Sequence, residues 1–260
     1  MTNIDLTGQT AVVTGAGRGI GLAVTRALAA SGAHVIAGAL HSSAELDKLA
    51  TEGTVTAYRV DLAAPGGPAE LVAQAGDGLG ILVNNVGAAH TRTGGFLSIS
   101  DEDWLTTLNI NLMSAVRATR SALPAMLAAG KGSIVNICSV NSTLSDPAVM
   151  DYSAAKSALA GFSKALSKEV GPMGVRVNTV SPGPVATDLW LGADGVAATV
   201  GQATGAKPED VASGAASSML TGRFTRPEEV ADLVVLLASD VTGNVTGADI
   251  RIDGGLIPTW

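Results

Sequence analysis

Thr10-Ala11-Val12-Val13-Thr14-Gly15-Ala16-Gly17-Arg18-Gly19-Ile20-Gly21 runs from a short β-branched, apolar segment straight into a glycine-rich turn. An amphipathic stretch follows over 19–31. A strand, a tight turn and a helix are the reading this order supports. The glycines allow the turn and let backbone amides approach a pyrophosphate, and the helix N-terminus adds its partial positive charge. A glycine-rich turn alone is weak evidence, and its place between a strand and a helix strengthens it.

The same alternation continues along the chain. Further strands are expected at 34–39, 55–60, 81–85, 133–139, 175–180 and 248–252, each close to continuously apolar, as strands covered on both faces are. Helical patterns lie near 44–51, 68–76, 101–127, 152–169 and 227–238. Ser100 ahead of Asp101, Glu102 and Asp103, and Pro227 ahead of Glu228 and Glu229, are helix starts. Repeated β-α order implies an α/β fold, a doubly wound, mostly parallel seven-stranded sheet flanked by helices in one domain over 1–260. The least regular part, 188–222, is rich in Gly, Ala, Ser and Thr and is expected to be a substrate-lid insertion.

Composition narrows the function. With 260 residues, 47% hydrophobic and 15% charged, the chain is globular and large enough to need no staple. Aromatics are only 3%, so small aliphatic side chains fill the core. A net charge of −7 with no basic run argues against a nucleic-acid partner. Cys138 is the one cysteine, which excludes an internal disulfide. No signal peptide is visible, and apolar runs such as 233–238 are far too short to span a bilayer. A cytoplasmic protein with no membrane partner is expected. His34, His41, His90 and Cys138 lack metal-ligand spacing, so no metal is expected.

The end of the second strand bears on the cofactor. Dinucleotide folds that prefer NAD place an acid there for the ribose 2′-hydroxyl. Here the run is Ala37-Gly38-Ala39-Leu40-His41-Ser42, with no Asp or Glu from 22 to 44. Arg18 can pair with a 2′-phosphate, and His41, Ser42 and Ser43 can add donors. NADP(H) is therefore expected as the preferred cofactor, with NAD(H) still possible.

Tyr152 and Lys156 are four apart at the start of a helix and share a face. A free tyrosine has a pKa near ~10, and a nearby ammonium lowers it, so the pair is a plausible acid/base. Ser139 ends the fifth strand, where side chains reach the ligand crevice. Asn111 and Asn109 lie in the long helical stretch among Leu108, Ile110, Leu112 and Met113, so at least one should be buried and partnered.

Taken in order, these elements resemble the short-chain dehydrogenase/reductase (SDR) family, over nearly the whole chain. Thr14 to Gly21 is similar to its cofactor loop, Asp61-Leu62 to its adenine-binding acid pair, and Asn84-Asn85-Val86-Gly87 to its Asn-Asn-Ala-Gly element, with Val86 for Ala. Asn111, Ser139, Tyr152 and Lys156 match its catalytic tetrad, including the 13-residue step from Ser139 to Tyr152. The segment 182–187, Pro182-Gly183-Pro184-Val185-Ala186-Thr187, resembles its nicotinamide-side Pro-Gly element, and Arg226 to Ala231 and Asp253-Gly254-Gly255 its C-terminal elements.

The resemblance implies a Rossmann-type domain and hydride transfer between a nicotinamide cofactor and a carbonyl or alcohol carbon. It implies cofactor contacts from Gly15, Arg18, Gly19, Ile20, Gly21, Leu40, His41, Asp61, Leu62, Asn85, Val86, Gly87, Tyr152, Lys156, Pro182, Gly183, Val185 and Thr187. Ser139 would bind the carbonyl oxygen, Tyr152 would exchange the proton, Lys156 would bond the ribose, and Asn111 would hold a relay water. It also implies a homotetramer, with 101–127 and 152–169 in one contact. Candidate substrate segments are 88–93, 141–151 and 188–204, carrying Leu144, Val149, Met150, Leu189, Trp190 and Leu191. They point to a small, apolar ketone or secondary alcohol. An NAD-dependent dehydrogenase working oxidatively, and a non-catalytic dinucleotide sensor, are the competing readings.

Overall fold

The computed structural model describes residues 4–259. Seven strands, β1 (Thr10–Thr14), β2 (His34–Ala39), β3 (Val55–Arg59), β4 (Leu79–Asn84), β5 (Gly132–Ile137), β6 (Val175–Pro182) and β7 (Asp249–Ile252), form one sheet in the order β3-β2-β1-β4-β5-β6-β7. Every pairing is parallel. This is the doubly wound sheet expected from the alternation. Strand order reverses between β1 and β4, which opens a crevice at their carboxyl ends.

The period-2 alternation of a strand explains why apolar runs suit this sheet. In register, Ala37, Val13, Val83 and Val135 form one row, and these side chains enter one core with Val24 and Leu28 of α1 (Gly19–Ala30) and Val230 and Val234 of α10 (Pro227–Ala238). Their neighbours Ile36, Val12, Leu82 and Ile134 face the other way. There they pack on Leu71 of α3 (Gly67–Ala73) and on Ala118, Ala122 and Met126 of α5 (Ser114–Ala129). Between α1 and α3, α2 (Ala44–Thr51) begins at Ser43, whose hydroxyl caps Leu46 N. Among the described residues, no helix is long and apolar enough to cross a membrane.

Most boundaries shift by one or two residues, but four departures have physical causes. The outer strand β3 is not covered on both faces: Thr56, Ala57 and Arg59 are exposed, as befits a sheet edge. The region 188–222 is not irregular, because it contains α7 (Asp188–Leu191), α8 (Val196–Thr204) and α9 (Pro208–Ser217). Its alanines favour helix without displaying a hydrophobic period, and Pro208 and the left-handed Gly205 separate α8 from α9. The stretch 101–127 is α4 (Asp101–Leu108), a π-helical turn (Asn109–Met113) and then α5. The helix start expected at Ser100 is there, as a capping box closed by Asp103. Finally, α6 (Met150–Val170) starts earlier than 152, so Tyr152 sits inside its first turn.

Candidate active site

A cleft of about 1350 Å³ runs along the carboxyl ends of the strands. At one end lie Gly15, Arg18, Gly19 and Ile20, with Leu40, His41, Asp61 and Leu62 beyond them. Asn85, Val86 and Gly87 follow β4, and Pro182, Gly183, Val185 and Thr187 follow β6. Ser139, Tyr152 and Lys156 close the inner end. Of the expected residues, Gly21 and Asn111 stand outside this lining.

Gly21 serves packing. A Cβ there would lie 2.1 Å from Gly15 O and 2.5 Å from Asn85 Nδ2. Asn85 Nδ2 itself donates to Thr14 O (3.0 Å) and Gly15 O (3.1 Å), and Thr14 Oγ1 accepts from Asn85 N (2.9 Å) and Val86 N (3.1 Å). The end of β4 thus clamps the glycine loop to β1. Arg18, at the N-cap of α1, makes no side-chain cap, and the first turn lines the cleft. Uncapped helical amides beside a cradle that tolerates no Cβ suit a dinucleotide pyrophosphate, so the residues present fit a nicotinamide cofactor.

On the adenosine side the surroundings differ from expectation in two respects. Ser42 is not a free donor, because its hydroxyl donates to Asp47 Oδ1 at 2.5 Å. An acid also reaches the cleft from just past the acid-free run 22–44: Glu45 lines it, paired with Arg26 at 3.2 Å. Arg18 is 81% exposed and only loosely paired with Asp188, at 3.8 Å.

At the inner end, the Ser139 hydroxyl donates to Asn141 Oδ1 (3.3 Å) and accepts from Asn141 N (3.2 Å). Lys156 Nζ is buried, donates to Ile137 O (2.9 Å) and lies 5.6 Å from the centre of the Tyr152 ring. The expected depression of the Tyr152 pKa is not what this geometry produces. Burial pushes the phenol up to about 12, and the neighbouring Ser139 hydroxyl offsets only part of that. The same desolvation lowers Lys156, whose ammonium is committed to a carbonyl rather than to the phenol oxygen. Burial likewise pushes the Cys138 thiol up to about 12, leaving it a small core side chain.

Asn111, 1% exposed, occupies the π-helical turn. Its Nδ2 donates to Ala88 O (2.8 Å) and Thr107 O (3.0 Å), and its Oδ1 accepts from Ala88 N (3.2 Å). A Cβ on Gly87 would lie 2.8 Å from Asn111 Oδ1 and 3.3 Å from Lys156 Nζ, so both groups flank that glycine. Asn109 donates instead to Ala63 O (2.8 Å), tying the π-turn to the loop after Asp61 and Leu62.

The family described as Enoyl-(Acyl carrier protein) reductase matches residues 15–257. This chain belongs to the short-chain dehydrogenase/reductase family. It is an oxidoreductase of CH–OH and carbonyl groups that uses NAD(P). The 3-oxoacyl-(acyl-carrier-protein) reductase FabG of Thermotoga maritima is 35% identical, over 97% of this chain and 99% of its own. L-sorbose reductase of Gluconobacter frateurii, solved with NADPH and L-sorbose, is 30% identical with a TM-score of 0.89, and each chain is covered over 100%. A Beutenbergia cavernae protein solved with NADP at low occupancy is 34% identical, with a TM-score of 0.86 over 99% of this chain and 100% of its own.

Beyond the residues that the SDR resemblance pointed to, the outer cleft of this SDR chain holds Leu144, Val149, Leu189 and Trp190, with Val196 and Val200 of α8. The Trp190 and Phe224 rings pack tilted at 45°, with centroids 5.5 Å apart. Met150 and Leu191 do not line it. Asn141 and Glu45 were not singled out from the sequence. Asn141 lies two residues past Ser139, within the expected substrate segment 141–151, and Glu45 follows the acid-free run 22–44.

Proposed function

We propose that this SDR enzyme is a cytoplasmic carbonyl reductase that prefers NADP(H) and converts a small, uncharged, mainly apolar ketone into its secondary alcohol. The observation that carries the reading is the meeting of Ser139, Tyr152 and Lys156 at the inner end of a cleft with apolar outer walls. The lining cations Arg18, Arg26 and Lys156 are all needed elsewhere, and Asp146, Asp188 and Glu228 supply only carboxylates. A carboxylate or phosphate on the substrate would meet like charge there.

The bound nicotinamide supplies the hydride. Ser139 donates to the carbonyl oxygen, and Tyr152 gives that oxygen its proton as charge develops. Burial keeps the phenol protonated at neutral pH, the form that the reducing step needs. Lys156, freed from Ile137 O, bonds the cofactor ribose, and Asn111 holds a water that relays protons to Lys156. The placement of Asn111 and Lys156 on either side of Gly87 supports that last assignment.

For the cofactor, support comes from Ala39, which leaves no acid at the end of β2, and from Arg18, whose exposed pair with Asp188 is easily exchanged for a phosphate. The Glu45 carboxylate is offset by Arg26. Residues 188–222 act as a lid, since Leu189, Trp190, Val196 and Val200 come from it. A homotetramer completes the reading. Exposed Phe96, Leu97 and Leu105 near the start of α4 support a helix-face contact, and sedimentation would test it.

Nicotinamide oxidation followed with NADPH and NADH in parallel, over aliphatic, aryl and anionic carbonyls, tests the whole. NADPH turnover on an uncharged ketone is expected. Turnover with NADH alone, or only on anionic carbonyls, would refute the cofactor or the substrate assignment, and silence on every carbonyl would favour a non-catalytic sensor.

A further inference from the structure

Next to Tyr152 lies a buried carboxylate that the chemistry above does not use. Asp151 is 1% exposed and sits in the first turn of α6. Its Oδ2 accepts from Arg92 Nε (3.2 Å), from Arg92 Nη2 and from Thr107 Oγ1 (2.7 Å). Arg92 is itself largely buried and reaches Asp103 of the α4 capping box through Nη1 (3.0 Å). Its backbone N–H donates to Ala148 O (2.7 Å), in the turn that leads into α6. Burial would raise the Asp151 carboxyl, but Arg92 and Thr107 outweigh it and keep the group ionised.

The connections reach both sides of the reacting centre. Thr107 binds Asp151 with its hydroxyl, and its own carbonyl accepts from Asn111 one turn later. A continuous polar path thus runs from Ala88 through Asn111 and Thr107 to Asp151, the residue bonded to Tyr152. Arg92, on the loop after β4, closes it from outside the cleft lining. A buried ion pair gives little net stability against an apolar replacement, so a fixed geometry is the better explanation for keeping one.

We propose that Asp151, held by Arg92 and Thr107, is a positioning residue that sets the Tyr152 phenol in register with the helix bearing Asn111. It rests on Tyr152 being the acid/base. Tyr152→Phe tests that premise separately, since it must lower kcat by about 10²–10⁴-fold whatever Asp151 does.

The test compares Asp151→Asn, Thr107→Val and Arg92→Lys with the wild type. Each is measured for kcat on the ketone that the wild type turns over, for NADPH affinity by nicotinamide fluorescence, and for Tm. A displacement of the phenol by about an ångström lowers kcat about 100-fold in Asp151→Asn. NADPH affinity should stay within about twofold, because the cofactor contacts lie elsewhere. Thr107→Val, which leaves the ion pair intact, should lose about tenfold in kcat, and Arg92→Lys, which keeps the charge but not the fork, should lose less than Asp151→Asn. A lowered Tm with kcat unchanged would mean that the cluster only stabilises the fold, and would overturn the proposal. So would a parallel loss of kcat and NADPH affinity. If Asp151→Asn does not fold, Thr107→Val decides between the same outcomes.

Discussion

Ala39→Asp should reverse the cofactor preference, and the structure allows the size to be worked out. Ala39 is the last residue of β2, is 6% exposed and lines the cleft. Because Ala39 itself lines the cleft, a longer side chain there can turn into it. Between a carboxylate there and a 2′-phosphate ~6 Å away, in an open cleft with an effective dielectric of ~40, repulsion is ~1.4 kcal/mol per unit of phosphate charge. A phosphate carrying ~1.5–2 charges raises this to ~2–3 kcal/mol. A charged hydrogen bond from the 2′-hydroxyl of NADH adds ~1 kcal/mol net in the opposite sense. The sum of ~3 kcal/mol is a shift of about 100-fold in the NADPH/NADH ratio of kcat/KM. Steady-state rates with each cofactor on the same ketone, with unchanged Tm as a control for folding, measure it. A ratio that moves by less than about threefold would refute the placement of the 2′-phosphate beside β2.

Arg26→Ala exposes the Glu45 carboxylate, but both side chains are well solvated, so NADPH preference should fall by less than about fivefold in the same assay. Tyr152→Phe should lower kcat by about 10²–10⁴-fold with NADPH binding retained by fluorescence titration, and near-normal turnover would remove Tyr152 from the chemistry. Because the phenol is pushed up to about 12, its protonated form prevails through neutral pH. Ketone reduction should therefore be flat across neutrality while alcohol oxidation rises about tenfold per pH unit, and pH-independent oxidation would contradict that state of the phenol. Trp190→Ala removes an apolar wall packed on Phe224 and should raise the ketone KM about tenfold without changing the NADPH KM.

Local signals carried far in this chain. Runs of Val, Ile and Ala of strand length, separated by glycine turns and helical periods, are enough for a doubly wound sheet, because each strand needs only its own alternation to serve two cores. The helix start at Ser100 and the four-residue step from Tyr152 to Lys156 lie within a helical turn or two, and both were legible. The helices of 188–222 were not, since small residues there mark no face. The π-turn at Asn111 was hidden too, because its cause is a pair of bonds to Ala88, 23 positions away.

What the sequence by itself determined, then, was the order of strands and helices, the glycine cradle and the chemical identity of Ser139, Tyr152 and Lys156. Backbone preferences and hydrophobic period act over a few residues and can be read in a line. Tertiary structure alone decided that Glu45 meets Arg26 in the cleft, that Asp47 occupies Ser42, that Arg92 reaches Asp151 across 59 positions, and that burial raises the Tyr152 phenol instead of Lys156 lowering it. Charge pairing and desolvation depend on which distant side chains share a volume that excludes water, and only the folded chain specifies that volume.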